Sequence, residues 1–214
     1  MERVICLIVG YVFGLIQTGY IYGKTQNIDI RKHGSGNAGT TNALRTMGWK
    51  AGVITFLGDC LKCIIAVAVV HLLYGKTHAD IMPVLAMYAG MGAVLGHNYP
   101  FYMNFKGGKG IATSTGLLIC TLNAPCILIC VAVFAAVVAV TKYVSAASLS
   151  AAAAYAVCAI VYGRMGGFGV TGANLIEVYV IAFILVVSAI YKHKSNIQRL
   201  LNGTENKISV GKKK

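Results

Sequence analysis

The chain has 214 residues, 57% of them hydrophobic and only 12% charged, with 19 Lys and Arg against 6 Asp and Glu. A soluble domain carries about twice that charged fraction, so the composition excludes a water-soluble globule and leaves no room for a separate soluble domain. The formal charge of +13 is spread over short loops between apolar runs, which argues against nucleic-acid binding and for cations held at one membrane face.

The first apolar run, Val4–Ile21, follows Arg3, and no small-residue cleavage site comes after it. It reads as a retained span rather than a signal peptide. The polar stretch Gly23–Gly52 then holds Gly34-Ser35-Gly36-Asn37-Ala38-Gly39-Thr40-Thr41-Asn42. Bare glycines let backbone N–H groups approach an oxyanion, and nearby cations supply charge. Asn42 and Arg45 are three apart and share a face if helical. Arg45 can grip a phosphate through its planar fork. The plainer reading is a turn with Arg45 marking the inner membrane face, but the density of Gly, Ser, Thr and Asn favours binding.

A second span covers Val53–Leu73. Asp59 and Lys62 lie three apart near its cytoplasmic end, where an isolated charge is costly. Mutual pairing is expected, with a structural role first and a site role second. Cys60 and Cys63 have the spacing of a metal or redox pair, but no second pair accompanies them. All seven cysteines lie in or beside apolar runs; they read as inert buried thiols, and no metal is expected.

The third span, Ile81–Leu95, runs into Gly96-His97-Asn98-Tyr99-Pro100 and then Phe105-Lys106-Gly107-Gly108-Lys109-Gly110. A glycine-rich entry to a helix N-terminus is an anion site by geometry. The G-x-x-x-x-G-K-[ST] pattern is absent, so nucleotide hydrolysis is not indicated. His97 fits either a proton carrier or a structural hydrogen bond. The following segment, Ile111–Leu122, would be about 18 Å long at the helical rise. That is too short for about 30 Å of hydrocarbon, so it should start inside the bundle and draw Lys106–Gly110 toward membrane depth.

Asn123-Ala124-Pro125 is a turn signal that separates this segment from Ala124–Val140. Val144–Tyr162 and Leu175–Tyr191 complete the set. Charge supports the division. With seven segments and the N-terminus outside, Lys24, Arg31, Lys32, Arg45, Lys50, Lys106, Lys109, Lys142 and the basic tail lie inside, leaving Arg3, Lys76 and Arg164 outside. Merging the two segments would send the tail outside, against the positive-inside rule. The expected fold is therefore an all-α integral membrane protein, a single polytopic domain over residues 1–214. It is a bundle of seven transmembrane helices, some short, with the N-terminus outside and the C-terminus cytoplasmic. All three polar loops then share the cytoplasmic side. The third is Lys192-His193-Lys194-Ser195-Asn196, where His193 and Asn196 share a helical face. Its plainer reading is a juxtamembrane basic stop. Gly211-Lys212-Lys213-Lys214 reads as a disordered basic tail near anionic lipid.

Absent patterns narrow the chemistry. No His is followed five residues later by Asp, and no Gly-x-Ser-x-Gly elbow occurs. With six carboxylates in the whole chain, a strong protein base is not expected. Taken in order, the three loops resemble the motifs of the bacterial membrane acyl-phosphate:glycerol-3-phosphate acyltransferases, the PlsY family. The first resemblance runs from Gly34-Ser35-Gly36-Asn37 through Asn42 to Arg45. The second joins Gly96-His97 and Pro100 to Lys106–Gly110. The third covers His193, Asn196-Ile197, Arg199-Leu200, Gly203 and Glu205. Thr40, Tyr102 and Lys192 depart from the commoner family residues without removing an expected reactive group.

The resemblance implies transfer of a fatty acyl group from acyl phosphate to the sn-1 hydroxyl of glycerol 3-phosphate. The products are lysophosphatidic acid and phosphate, in the first step of phospholipid synthesis at the bacterial plasma membrane, with the site on the cytoplasmic side. It implies catalytic roles for Ser35, Arg45, Lys109, His193 and Asn196. It places phosphate binding at Gly34, Gly36, Asn37, Asn42, His97, Lys106, Gly107, Gly108 and Gly110, and makes Glu205 a structural anchor. No cofactor and no nucleic acid are implied. Membrane lipids and other phospholipid-synthesis enzymes would be its partners. The rival reading is a transporter or channel for small organic phosphates, against which stand motifs gathered on one side and no internal repeat.

Overall fold

A computed structural model describes residues 1–208. The tail expected at Gly211–Lys214 lies outside the described residues. Among those described, the chain is helical without strands: α1 (Glu2–Gly14), α2 (Thr18–Thr25), α3 (Thr40–Met47), α4 (Trp49–Tyr74), α5 (Met82–Asn98), α6 (Ile111–Thr121), α7 (Ala124–Thr141), α8 (Val144–Arg164), α9 (Gly172–Lys192) and α10 (Lys194–Leu201). Six helical stretches are long and apolar enough to cross a bilayer, and α6 is a shorter apolar helix.

The bundle is built around α5, which is apolar on all sides and buried almost throughout. Leu85, Met87 and Val84 on α5 pack with Leu117 of α6 and Val178 of α9 in the main core. Leu72, Leu128, Val140 and Phe183 are large, apolar and exposed, as suits surfaces solvated by lipid. Helix α1 meets α5 backbone to backbone. A Cβ on Gly10 would sit 1.9 Å from the Ala89 carbonyl oxygen, and one on Gly96 would sit 2.2 Å from that of Tyr11. With Gly14 and Gly92 these residues form facing small-xxx-small pairs, the device that brings membrane helices to close range.

The first apolar segment is not the single uninterrupted span expected from Val4–Ile21. The helix breaks between Gly14 and Thr18. The carbonyls released there are met from within the protein. Gln17 is fully buried, and its amide reaches the Gly14, Gly96 and His97 carbonyls at 3.3, 3.5 and 3.1 Å. The Lys62 ammonium donates to the Ile16 carbonyl at 2.6 Å. Irregular backbone in a hydrophobic segment is tolerated under these conditions.

The other disputed boundary falls where the turn signal put it. α6 stops at Thr121, and the Asn123 side chain accepts from the Cys126 amide at 3.2 Å to cap α7, with Pro125 in its first turn. α6 packs against α4 and α5. With 11 residues it is about 16 Å long.

Candidate active site

The first loop is shaped by Asn42. Its side-chain amide donates to the carbonyls of Ile30, His33 and Asn37 at 3.2, 3.0 and 2.9 Å, and its oxygen accepts from the Ser35 N–H at 2.9 Å. Asn42 is 2% exposed. It builds the loop, and it also lines the cavity described below. Gly34 and Gly36 also serve the turn. Both have positive φ, +58° and +69°, and neither lines the cavity described below. Ser35 and Arg45 do line it. Among the described residues neither side chain has a hydrogen-bond partner.

In the second loop, Gly107 and Gly108 spend their amides within the protein. They donate to the Asn98 and His97 carbonyls at 3.2 and 3.0 Å, closing the end of α5. The structure therefore corrects the expectation that these two amides cradle phosphate. Their lack of side chains serves packing. A Cβ would lie 2.0 Å from the His97 carbonyl oxygen at Gly107 and 1.9 Å from His97 Nε2 at Gly108. Lys106 is exposed and does not line the cavity. The amides left for an anion are those opening α6. Gly110, with φ +81°, is its N-cap, no side chain caps it, and Gly110, Ile111 and Ala112 line the cavity.

The third loop begins where α9 passes into α10 at His193. His193 is buried and its Nδ1 lies 2.8 Å from the Ala189 carbonyl. A carbonyl only accepts, so Nδ1 carries the proton and Nε2 keeps a lone pair. Glu205 ties this region down. It accepts from Asn196 Nδ2 at 2.8 Å, Ser145 Oγ at 3.0 Å and Arg199 Nε at 2.7 Å. Burial pushes the Glu205 carboxyl up, but these three donors outweigh it and hold it below the usual carboxylate range.

Three hydrogen bonds join the loops, one of them from Lys192 Nζ to the Asn98 carbonyl at 2.8 Å. Asn37 Nδ2 donates to the Gly107 carbonyl at 3.4 Å, and Lys109 Nζ donates to Asn196 Oδ1. The three motifs thus converge, and they do so around one cavity of about 500 Å³. Its polar end is lined by Ser35, Asn37, Arg45, His97, Lys109, Gly110, His193 and Asn196. Its other walls are apolar, among them Leu118 of α6, Phe134 and Val138 of α7, Tyr155 of α8 and Leu185 of α9.

The polar end is cationic. Burial pushes Lys109 down to about 8, opposed by Glu205 and reinforced by the Arg199, Arg45 and Lys192 cations. Burial, then Lys109, pushes His193 down to about 4 against the pull of Ala189 and Glu205. A neutral imidazole beside the Lys109 cation is suited to hydrogen bonding and poor at taking a proton. No group of three or more His, Cys, Asp or Glu capable of holding a metal occurs among the described residues.

Beneath this end lie residues that sequence reasoning placed only in part. Asp59, Lys62 and His97 form a buried cluster, with Lys62 Nζ 2.9 Å from Asp59 Oδ1 and 2.7 Å from His97 Nδ1. The i,i+3 spacing foretold the Asp59–Lys62 pair. His97 joins it from another helix, which spacing does not reveal. Gln17 and Ser145 went unnoticed; a lone glutamine inside an apolar run was the available signal for the first.

Fold and site together define a polytopic helical membrane protein whose cationic cavity continues into an apolar one. Residues 4–203 match the family model described as glycerol-3-phosphate acyltransferase. The chain is 42% identical to the Clostridioides difficile (strain 630) protein of that name, covering 99% of this chain and 97% of the other, and 41% identical to that of Bacillus subtilis (strain 168), covering 94% and 95%. A solved structure of PlsY (YgiH), described as an integral membrane glycerol 3-phosphate acyltransferase in its glycerol 3-phosphate form, superposes with a TM-score of 0.82 at 31% identity, covering 98% of this chain and 96% of that one. The chain belongs to the glycerol-3-phosphate acyltransferase family.

Proposed function

We propose that this protein transfers a fatty acyl group from acyl phosphate to the sn-1 hydroxyl of glycerol 3-phosphate, releasing lysophosphatidic acid and inorganic phosphate. The reaction would be the first step of phospholipid synthesis, on the cytoplasmic side of a bacterial plasma membrane. The observation that carries this reading is a single cavity with a cationic end and apolar walls. Both substrates are phosphorylated, and one also carries an acyl chain. Arg45, Lys109 and the amides opening α6 supply charge and donors for phosphoryl oxygens. Ser35 and Asn196 orient the acceptor. The α6–α9 walls receive the chain.

The hydroxyl oxygen attacks the acyl carbonyl carbon, a new ester C–O bond forms, and the bond from that carbon to the phosphate oxygen breaks. The hydroxyl proton goes to the departing phosphate. His193, held near pKa 4, accepts a hydrogen bond through Nε2 and orients the hydroxyl without becoming the base. An acyl phosphate is already activated, so proximity and electrostatic stabilisation supply the catalysis.

The test is purified protein in detergent with glycerol 3-phosphate and either acyl phosphate or acyl-CoA. Lysophosphatidic acid is expected from acyl phosphate alone. Product from acyl-CoA, or none from either donor, would overturn the reading, and a transporter would give no product without compartments.

A further inference from the structure

The cavity has a second end, opposite the cationic one. Four helices wall its apolar part and all lead away from the motifs. On α6 the lining goes from Gly110 to Leu118, on α7 from Val138 to Cys130, on α8 from Ser145 to Tyr155 and on α9 from His193 to Leu185. At the helical rise these stretches are about 12–15 Å long. Leu118, Cys130, Tyr155 and Leu185 are the deepest lining residues on their helices, and all four are buried. One turn further on, Leu122, Cys126, Cys158 and Ile181 are buried too and no longer line the cavity. All of these residues belong to the main core. In this direction the cavity is therefore blind, and it stops where close packing resumes.

Tyr155 is the largest side chain at the blind end. Above it on α8 the lining residues are small, Ser148, Ala151 and Ala152. The space alongside α8 thus stays open until the ring closes it. The Tyr155 hydroxyl donates to Met87 Sδ on α5 at 3.5 Å, and Met87 is fully buried. Ring and hydroxyl are both tied to the core, which holds the side chain against swinging aside.

We propose that Tyr155 is a specificity-determining residue that sets the longest acyl chain the enzyme accepts readily. It does so by meeting the terminal methyl of a donor whose phosphoryl group sits at the cationic end. This rests on the reading that the cavity receives an acyl phosphate. A chain that stops short of the ring leaves apolar walls without partners, and one that is too long must displace packed side chains.

The experiment is a competition. Full-length protein in detergent acylates glycerol 3-phosphate from an equimolar mixture of decanoyl, lauroyl, myristoyl, palmitoyl and stearoyl phosphates. Mass spectrometry reads the lysophosphatidic acids formed. Initial product ratios give relative kcat/KM and do not depend on how much active enzyme a preparation holds. Dividing each variant's ratios by those of the wild type removes differences in how the donors enter the micelle. The wild type should show an optimum, with a fall of about tenfold beyond it. Tyr155→Ala should move the optimum to a longer chain. Tyr155→Phe should leave it in place, because the ring sets the limit. Ala152→Phe raises the floor by about one turn and should move the optimum to a shorter chain. A flat wild-type profile, or an optimum unmoved in Tyr155→Ala or in Ala152→Phe, would overturn the proposal and mean that the chain runs out sideways into the bilayer, with transfer from acyl phosphate intact. No product from any chain length would instead overturn the acyl phosphate reading. The wild-type profile and Ala152→Phe keep the test decisive if Tyr155→Ala fails to fold.

Discussion

Arg45 brings its charge to the cavity with no carboxylate to hold it among the described residues, whereas Arg199, also in the lining, is bound to Glu205. Arg45→Ala should therefore cost substrate contact without cost to folding. One charge-assisted hydrogen bond to phosphate is worth about 1.5–3 kcal/mol, so kcat/KM should fall at least tenfold with the melting temperature unchanged. Near-normal kinetics would remove Arg45 from the site. Lys109 sets a pH limit. With its pKa pushed down to about 8, it is a cation below that pH and neutral above it. The plot of kcat/KM should accordingly fall as pH rises through 8, and Lys109→Arg should lose that alkaline limb because guanidinium stays charged. A limb that persists in the arginine variant belongs to another group. Gly108→Ala forces a Cβ into the place of His97 Nε2, 1.9 Å away. Overpacking of this kind costs about 1–3 kcal/mol, and the ring must leave Lys62. The KM of a phosphorylated substrate should rise by more than any stability change explains; unchanged KM values would show that the ring is not part of the site.

At the scale of elements, the α1–α5 contact is the least forgiving. A Cβ at Gly14 would meet the Ala93 carbonyl oxygen at 2.3 Å and the Gly96 Cα at 2.9 Å, all backbone. Gly14→Val should lower the melting temperature in detergent sharply and reduce activity with it, since the same contact places Gly96 and His97 beneath the site. A variant of normal stability would mean that the two helices can separate without consequence. These pairs were visible as Gly10/Gly14 and Gly92/Gly96, four apart in apolar runs, but nothing in the sequence says which helix faces which. The three loops were legible for the opposite reason. Gly, Ser, Asn and Lys are conspicuous in a hydrophobic chain, and their convergence is fastened by three cross-links, Asn37 to Gly107, Lys109 to Asn196 and Lys192 to Asn98. The inner division of labour was hidden. Whether an amide faces a ligand or a carbonyl depends on backbone path, so Gly107 and Gly108 looked like ligand groups although their amides bond the Asn98 and His97 carbonyls, while Asn42 both holds its loop and lines the cavity.

For the whole molecule, the expected topology is testable by labelling. In a cysteine-free background, single cysteines at Thr77 and Thr171 should react with an impermeant reagent from outside, and one at Asn202 should not. External labelling at Asn202 would separate the motifs from the cytoplasm. The α6–α7 break is what this expected arrangement requires, since it would return the chain to the side that the positive-inside rule assigns to the tail. Hydropathy located that break through Asn123 and Pro125, but it missed the one in the first segment, where an apolar run gives no sign that Gln17 and Lys62 hold it open.

That opened segment has a history in the order of synthesis. Residues 1–25 leave the ribosome before Lys62 or the Gly96 and His97 carbonyls exist, so the partners of the Ile16 carbonyl and the Gln17 amide arrive later. A lone segment in lipid keeps its backbone bonds to itself. It should enter the bilayer as one continuous helix and be prised apart when α4 and α5 dock, so the last stage of assembly trades local order for a shared polar knot. A peptide of residues 1–25 in bilayers should accordingly protect the Leu15–Thr18 amides from hydrogen exchange, which the finished protein would do less well.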